Sequence, residues 1–235
     1  MRSVLLLAIA FVRHNLWLLI MLSLWPWLFS GVLSFEGENQ ISDYASTLQQ
    51  ESFYGILIIG FMATAALNNE QKSRRVIAVL SKAVSRGEYL SSFLGGVFLV
   101  GLCFTSSVAI ATWIATLRIH PNLIQLTVFL LAVLLSALWI ASLSLMFSTF
   151  LSPLLTTLFT GLGVGTTLLG LHSPNRAWAL LAPTSSIFPA LMANPLSPSW
   201  RLSWLPLASA ITEILIFLAI GAWAFQYRDL TRALE

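Results

Sequence analysis

The sequence predicts an all-α polytopic membrane protein of six transmembrane helices, with an N-terminal interfacial helix, a basic amphipathic helix at the cytoplasmic face and short outer-face helices that re-enter the membrane edge between spans five and six. Three observations carry this. Hydrophobic residues make up 57% of the chain and charged residues 9%, with a mean hydropathy of +0.85; soluble domains are about 25% charged. The apolar residues fall in long runs of helical length. The basic residues gather at the ends of those runs, five of the twelve Lys and Arg lying between Glu70 and Leu90. At about 20 residues per span, one membrane domain fills residues 1–235 and leaves no room for a soluble catalytic domain.

Met1 to Leu33 as one straight helix would be roughly 45–50 Å long, against a hydrocarbon core of about 30 Å. A break at Arg13-His14-Asn15 resolves the excess. Met1 to Val12 then forms an interfacial helix ending at residue 13, and Asn15 to Leu33 the first span, which Pro26 kinks in its outer half. The alternative is a single tilted helix with Arg13 snorkelling. The same interruption, with no small-residue cleavage site after it, argues against a signal peptide.

Ser34 to Ser52 is an acidic outer loop carrying Glu36, Glu38, Asp43 and Glu51 and no Lys or Arg. Phe53 to Leu67 is short for a span and draws on Asn68 and Asn69 at its inner end. Phe93 to Leu117, Leu123 to Phe147 and Leu154 to about Leu171 are the third to fifth spans, with Pro153 opening the fifth. His172 to Trp204 is punctuated by Pro174, Pro183, Pro189, Pro195 and Pro198, so no uninterrupted run there reaches span length. It reads as short helices at the outer face, with Trp178, Trp200 and Trp204 suited to an aromatic belt. Leu205 to Phe225 is the sixth span.

With the N-terminus inside, the cytoplasmic side collects Arg2, Arg13, Lys72, Arg74, Arg75, Lys82, Arg86, Arg228 and Arg232, leaving Arg118, Arg176 and Arg201 outside. That asymmetry satisfies the positive-inside rule and puts both termini in the cytoplasm, across the cell inner membrane.

In the stretch from Glu70 to Leu90, the apolar residues Val76, Val79, Leu80, Ala83 and Val84 follow the i, i+3, i+4 spacing of one helical face. A helix this short lies flat at the interface, its basic side toward headgroups or a soluble partner. Here the chain resembles the ABC-2 type transporter permeases. Glu70, Ser73, Val79-Leu80-Ser81, Val84-Ser85-Arg86 and Glu88-Tyr89-Leu90 match in order and spacing a pattern found after the second membrane helix of that family. The departures are Arg74-Arg75 where Gly-Thr is usual, Ala83 where Pro is usual and Ser92-Phe93 where Gly-Lys is usual. The Arg228-Asp229-Leu230 ending is also similar.

The resemblance implies an N-terminal elbow helix and a coupling helix that seats on a separate ABC ATPase subunit, with Glu70, Arg74, Arg75, Val79, Leu80, Ser81, Val84, Ser85, Arg86 and Glu88 as the coupling residues. It implies a permease that is no enzyme by itself and holds no cofactor, ATP and Mg being bound by the partner ATPase. It further implies a dimer with a second copy or a related permease, and export as the direction. The closest in kind are permeases of copper-enzyme maturation and of sodium or antibiotic export, and more distantly haem-exporter permeases. A reading from another class is a membrane-embedded enzyme, or an assembly scaffold whose basic loop holds membrane lipid.

Other candidates stand beside simpler accounts. Glu213, within the sixth span, is a translocation-path candidate, or a carboxyl hydrogen-bonded to Ser or Thr of neighbouring helices. Gly161 and Gly165 form a Gly-x-x-x-Gly pair that suits either a dimer interface or packing within one subunit; the family's dimers form through the first and fifth helices, which favours the interface. No Gly-Lys dipeptide exists, so there is no Walker A loop. His14, His120 and His172 are isolated and lack metal-ligand spacing. Cys103 has no partner cysteine. No nucleophile motif or carboxylate pair is present, and nothing suggests nucleic acid.

Overall fold

The computed structural model describes residues 2–35, 41–72, 85–116, 122–169, 191, 195–197, 200 and 204–227. Among the described residues there are seven α-helices and no strand: α1 (Arg2–His14), α2 (Leu16–Phe35), α3 (Ile41–Lys72), α4 (Arg86–Ala115), α5 (Leu123–Ser148), α6 (Pro153–Leu169) and α7 (Trp204–Tyr227). Four of them, α3, α4, α5 and α7, are long and apolar enough to cross a membrane, and the bent pair α1 and α2 makes a fifth if counted as one span. The shorter α6 has 17 residues.

The first apolar stretch breaks at Asn15, where the two helices meet at 70°. The residue type explains the break. The Asn15 amide side chain donates to the Phe11 carbonyl at 2.9 Å, and its backbone N–H also turns back onto Phe11 and Val12. These bonds satisfy carbonyls at the end of α1 that have no partner inside the helix. The Asn15 carbonyl then accepts from Leu19 and opens α2. The inner face of α1 buries Ala8 and Phe11 against α4, with the Phe11 ring edge-on to Phe93 at 5.7 Å.

Pro26 sits inside α2, which runs through it. Proline removes the donor to the carbonyl four residues back, and a polar cluster forms beside it. The Ser107 hydroxyl of α4 donates to the Ser23 carbonyl at 2.5 Å and accepts from the Trp27 indole at 3.0 Å. That one hydroxyl ties α2 to α4.

The largest departure from the sequence reading is α3. It starts at Ile41 and absorbs most of the expected acidic loop, running on through Asn68 and Asn69 to Lys72. The physical reason is local: residues 41–54 contain no Gly or Pro, Asp43 lies in the first turn where the helix dipole favours a carboxylate, and Ala45, Leu48 and Ser52 continue the buried stripe of Ile56, Ile59 and Ala63.

Helix directions follow from cross-helix pairs. Gly60 meets Ile140 and Thr64 hydrogen-bonds Ser144, so α3 and α5 run parallel. Trp139 meets Glu213 and Met146 meets Gly221, so α5 and α7 run parallel. Leu143 meets Gly163 and Phe147 meets Phe159, so α6 runs back against α5. One end of the bundle therefore gathers Asn15, Lys72, Ser85 to Glu88, Ser148 to Pro153 and Phe225 to Tyr227. We call it the basic end, for Arg13, Lys72 and Arg86. At the opposite end, Gln125 donates to the Trp200 carbonyl at 2.9 Å. Trp200 itself is 6% exposed, its ring edge-on to Phe129; it packs into the bundle rather than joining an exposed belt.

Buried hydroxyls in α4 and α5 mostly bond carbonyls of their own helix, as Ser136 does to Ala132 and Thr105 to Gly101. This removes the cost of burying them. At Gly60 a β-carbon would stand 2.5 Å from Ile140 Cγ2 and 2.7 Å from its Cβ. The Cβ is fixed by the backbone, and the Cγ2 methyl moves only by a χ1 rotation that a helix restricts for isoleucine. Gly60→Leu is expected to cost about 1–3 kcal/mol by overpacking, read as a lower midpoint in reversible detergent unfolding.

Candidate functional site at the Arg86 junction

The expected coupling stretch enters the bundle through two helices. Glu70 lies in the last turn of α3, which ends at Lys72. Ser85, Arg86 and Glu88 begin α4. Arg74, Arg75, Val79, Leu80, Ser81 and Val84 lie outside the described residues, as do His120, His172, Trp178 and the tail from residue 228. The flanks of the 70–90 stretch are thus parts of long helices, and Tyr89 and Leu90 are fully buried.

Ser85 is the N-cap of α4. Its hydroxyl accepts from the Glu88 N–H at 3.2 Å, and the Glu88 carboxylate accepts from the Ser85 N–H at 3.1 Å. This reciprocal capping box satisfies two amides that the first turn leaves without partners. The spacing Ser-x-x-Glu ahead of an apolar run is visible in the sequence and was the signal for it.

Arg86 reaches across to the last turn of α7. One guanidinium nitrogen donates to the carbonyl of Phe225 and, at 2.9 Å, to that of Gln226. The guanidinium carbon stands 5.6 Å from the centroid of the Phe225 ring. Tyr89, one turn on in α4, stacks on the same ring at 6.3 Å. A cation at a helix C-terminus meets the negative end of the dipole, and the guanidinium carries several donors in a fixed plane, so it serves two carbonyls together. Hydrogen bonds to a charged group are worth about 1.5–3 kcal/mol. Arg86 therefore fastens the start of α4 to the end of α7.

Glu213 lies on α7, half-buried. The Trp139 indole N–H of α5 donates to its Oε2 at 2.5 Å, and Trp139 packs edge-on to Phe217 at 5.9 Å. The carboxyl is hydrogen-bonded across helices by the Trp139 indole. Gly161 and Gly165, on α6, have open space within 4 Å of where a β-carbon would stand, whereas Gly163 between them faces Leu143. Among the described residues a side chain at either glycine of the Gly-x-x-x-Gly pair would point into open space.

A feature the sequence reading missed is Glu51. Assigned there to an outer loop, it is 2% exposed on α3, and its Oε1 has no hydrogen-bond partner. The uninterrupted helix-forming run from Ile41 to Gln50 was the available signal. Among the described residues no group of three or more His, Cys, Asp and Glu side chains is placed to hold a metal. Cys103 is exposed on α4, without a cysteine partner.

The sequence matches no protein-family model and no curated protein. The fold and its surface define the class: an all-helical protein with four or five helices fit to cross a membrane, of multi-pass character.

Two results are expected at the junction. A β-carbon at Gly87 would stand 3.7 Å from that of Ala222, within the span of about 3.5–4.5 Å that a disulfide needs. In a Cys103→Ser background, Gly87→Cys with Ala222→Cys should oxidise to an intrachain bond, seen as a mobility shift on non-reducing gels. Ser85→Ala should cost about 1 kcal/mol through loss of the cap, read by detergent unfolding.

Proposed function

We propose that this chain is the membrane permease of an ATP-driven ABC-2 type transporter, working as a dimer with two copies of a separate ATPase and exporting its substrate. α2 to α7 would be six passes, α1 the elbow lying in the interface, and the basic end would face the cytoplasm, as its Arg and Lys residues favour. The observation that carries this reading is the Arg86 junction. Residues 73–84 connect α3 to α4, and α4 is fastened to α7, so a push on that short connection by a docked ATPase would reach three helices together.

Support also comes from the residues that recur in the permease pattern. Ser85, Arg86 and Glu88 shape the exit of the segment into α4, which leaves Arg74, Arg75 and the face of Val79, Leu80 and Val84 as the surface for the ATPase. The open face at Gly161 and Gly165 suits a second copy, since small residues let helix backbones approach closely.

The direct test is co-purification with a candidate ATPase in native membranes. Arg74→Glu with Arg75→Glu should abolish the complex while leaving the fold intact, whereas Arg86→Ala should loosen the end of α7, read as faster amide exchange there. Retention of the ATPase by the charge-reversed protein would refute the coupling surface, and binding to anionic lipid alone would favour the scaffold reading. Gly161→Leu with Gly165→Leu should leave the unfolding midpoint unchanged and weaken self-association about tenfold, equal to about 1.4 kcal/mol, in a detergent dilution series.

A further inference from the structure

Glu51 and Glu213 are both carboxyls among apolar helices, and they are held differently. Glu213 has the Trp139 indole as donor. Glu51 Oε1 has none, and the neighbouring Ser52 hydroxyl is also buried and unpartnered. Leu48 and Gly55 flank Glu51 one turn away on either side, the Phe104 ring of α4 lying over Gly55. The helices packed against α3 bring no compensating charge. α2, α5 and α6 contain no ionisable residue, and the ionisable groups of α4 are Arg86, Glu88 and Tyr89 at the basic end and the exposed Cys103. On α3 itself the charged group on the same side of the bundle is Asp43, two turns nearer the opposite end.

A carboxyl oxygen kept in such surroundings without a donor is costly to the fold, and such residues mark ion and proton paths. Polar side chains on the exposed face of α3 also reach this depth. Asp43, Ser46 and Gln50 form an exposed polar strip at i, i+3 and i+7 along α3, running from the opposite end to the level of Glu51. From this geometry we propose that Glu51 is a monovalent-cation site within the bundle, filled along that strip from the end where α3 begins. The occupant is a proton or an alkali cation. For a proton, hydronium gives its proton to Oε1, an O–H bond forms and water is released. For an alkali cation, the carboxylate supplies the charged ligand. This assignment is independent of any ATPase partner.

Carbodiimide labelling of the full chain in phosphatidylcholine vesicles tests it. A protonated carboxyl adds its O–H across a C=N bond of dicyclohexylcarbodiimide, and the acyl group migrates to nitrogen as a stable N-acylurea. We expect modification at Glu51, located by mass spectrometry, and its loss in Glu51→Gln, with the Gly87→Cys and Ala222→Cys crosslink still forming as proof of fold. Suppression by NaCl but not by choline chloride identifies an alkali cation as the occupant. Labelling that ignores NaCl and quickens as the bulk pH falls identifies a proton. Labelling insensitive to both, or no labelling at Glu51 in vesicles when the detergent-unfolded chain is labelled there, overturns the proposal.

Discussion

An apolar helical bundle has to satisfy its polar groups from within, and the grip of Arg86 on the carbonyls that end α7 is the clearest instance. At the partly buried Phe225 carbonyl the guanidinium supplies the donor that the last turn of α7 lacks within its own helix. The donor here comes from Arg86 in the first turn of α4, 139 residues before Phe225 along the chain. The same need is met at Asn15, which caps α1 where the chain turns by 70°, while Ser107 ties α4 to the Ser23 carbonyl of α2. Packing places the helices side by side; these few polar contacts set where they begin, turn and end.

The junction changes how the basic segment is understood. As a sequence, residues 70–90 read as one flat amphipathic helix. In the fold its two flanks belong to α3 and α4, which leaves residues 73–84 between them. Arg86, grouped by resemblance with the residues that meet a partner, spends its guanidinium on α7. Under the proposed coupling, Arg86 would shape the attachment of the segment to the bundle rather than meet the ATPase.

Much of the architecture was legible in the residues. The runs that became α5 and α7 were bounded to within a few residues because each is long, apolar and flanked by polar or proline-containing breaks, whereas α4 starts at Arg86 rather than at the expected Phe93. The turn at Asn15 followed from the excess length of the first apolar run together with its polar interruption at Arg13-His14-Asn15. The start of α3 was not legible by hydropathy, because Asp43, Gln49, Gln50 and Glu51 make it look like solvent-exposed loop; only its unbroken helix-forming character pointed the other way. Pairings across long separations, such as Trp139 with Glu213 and Trp200 with Phe129, depend on which helix faces meet. Periodicity within one helix carries no record of that.

The account rests on residues 73–84 being a cytoplasmic handle at the basic end. The most direct measurement is sidedness of chemical labelling in oriented membrane vesicles, using Ser81→Cys in the Cys103→Ser background and a membrane-impermeant maleimide. The account predicts labelling from the cytoplasmic side alone, with protection when an ATPase subunit is bound. Labelling from the outer side would contradict it.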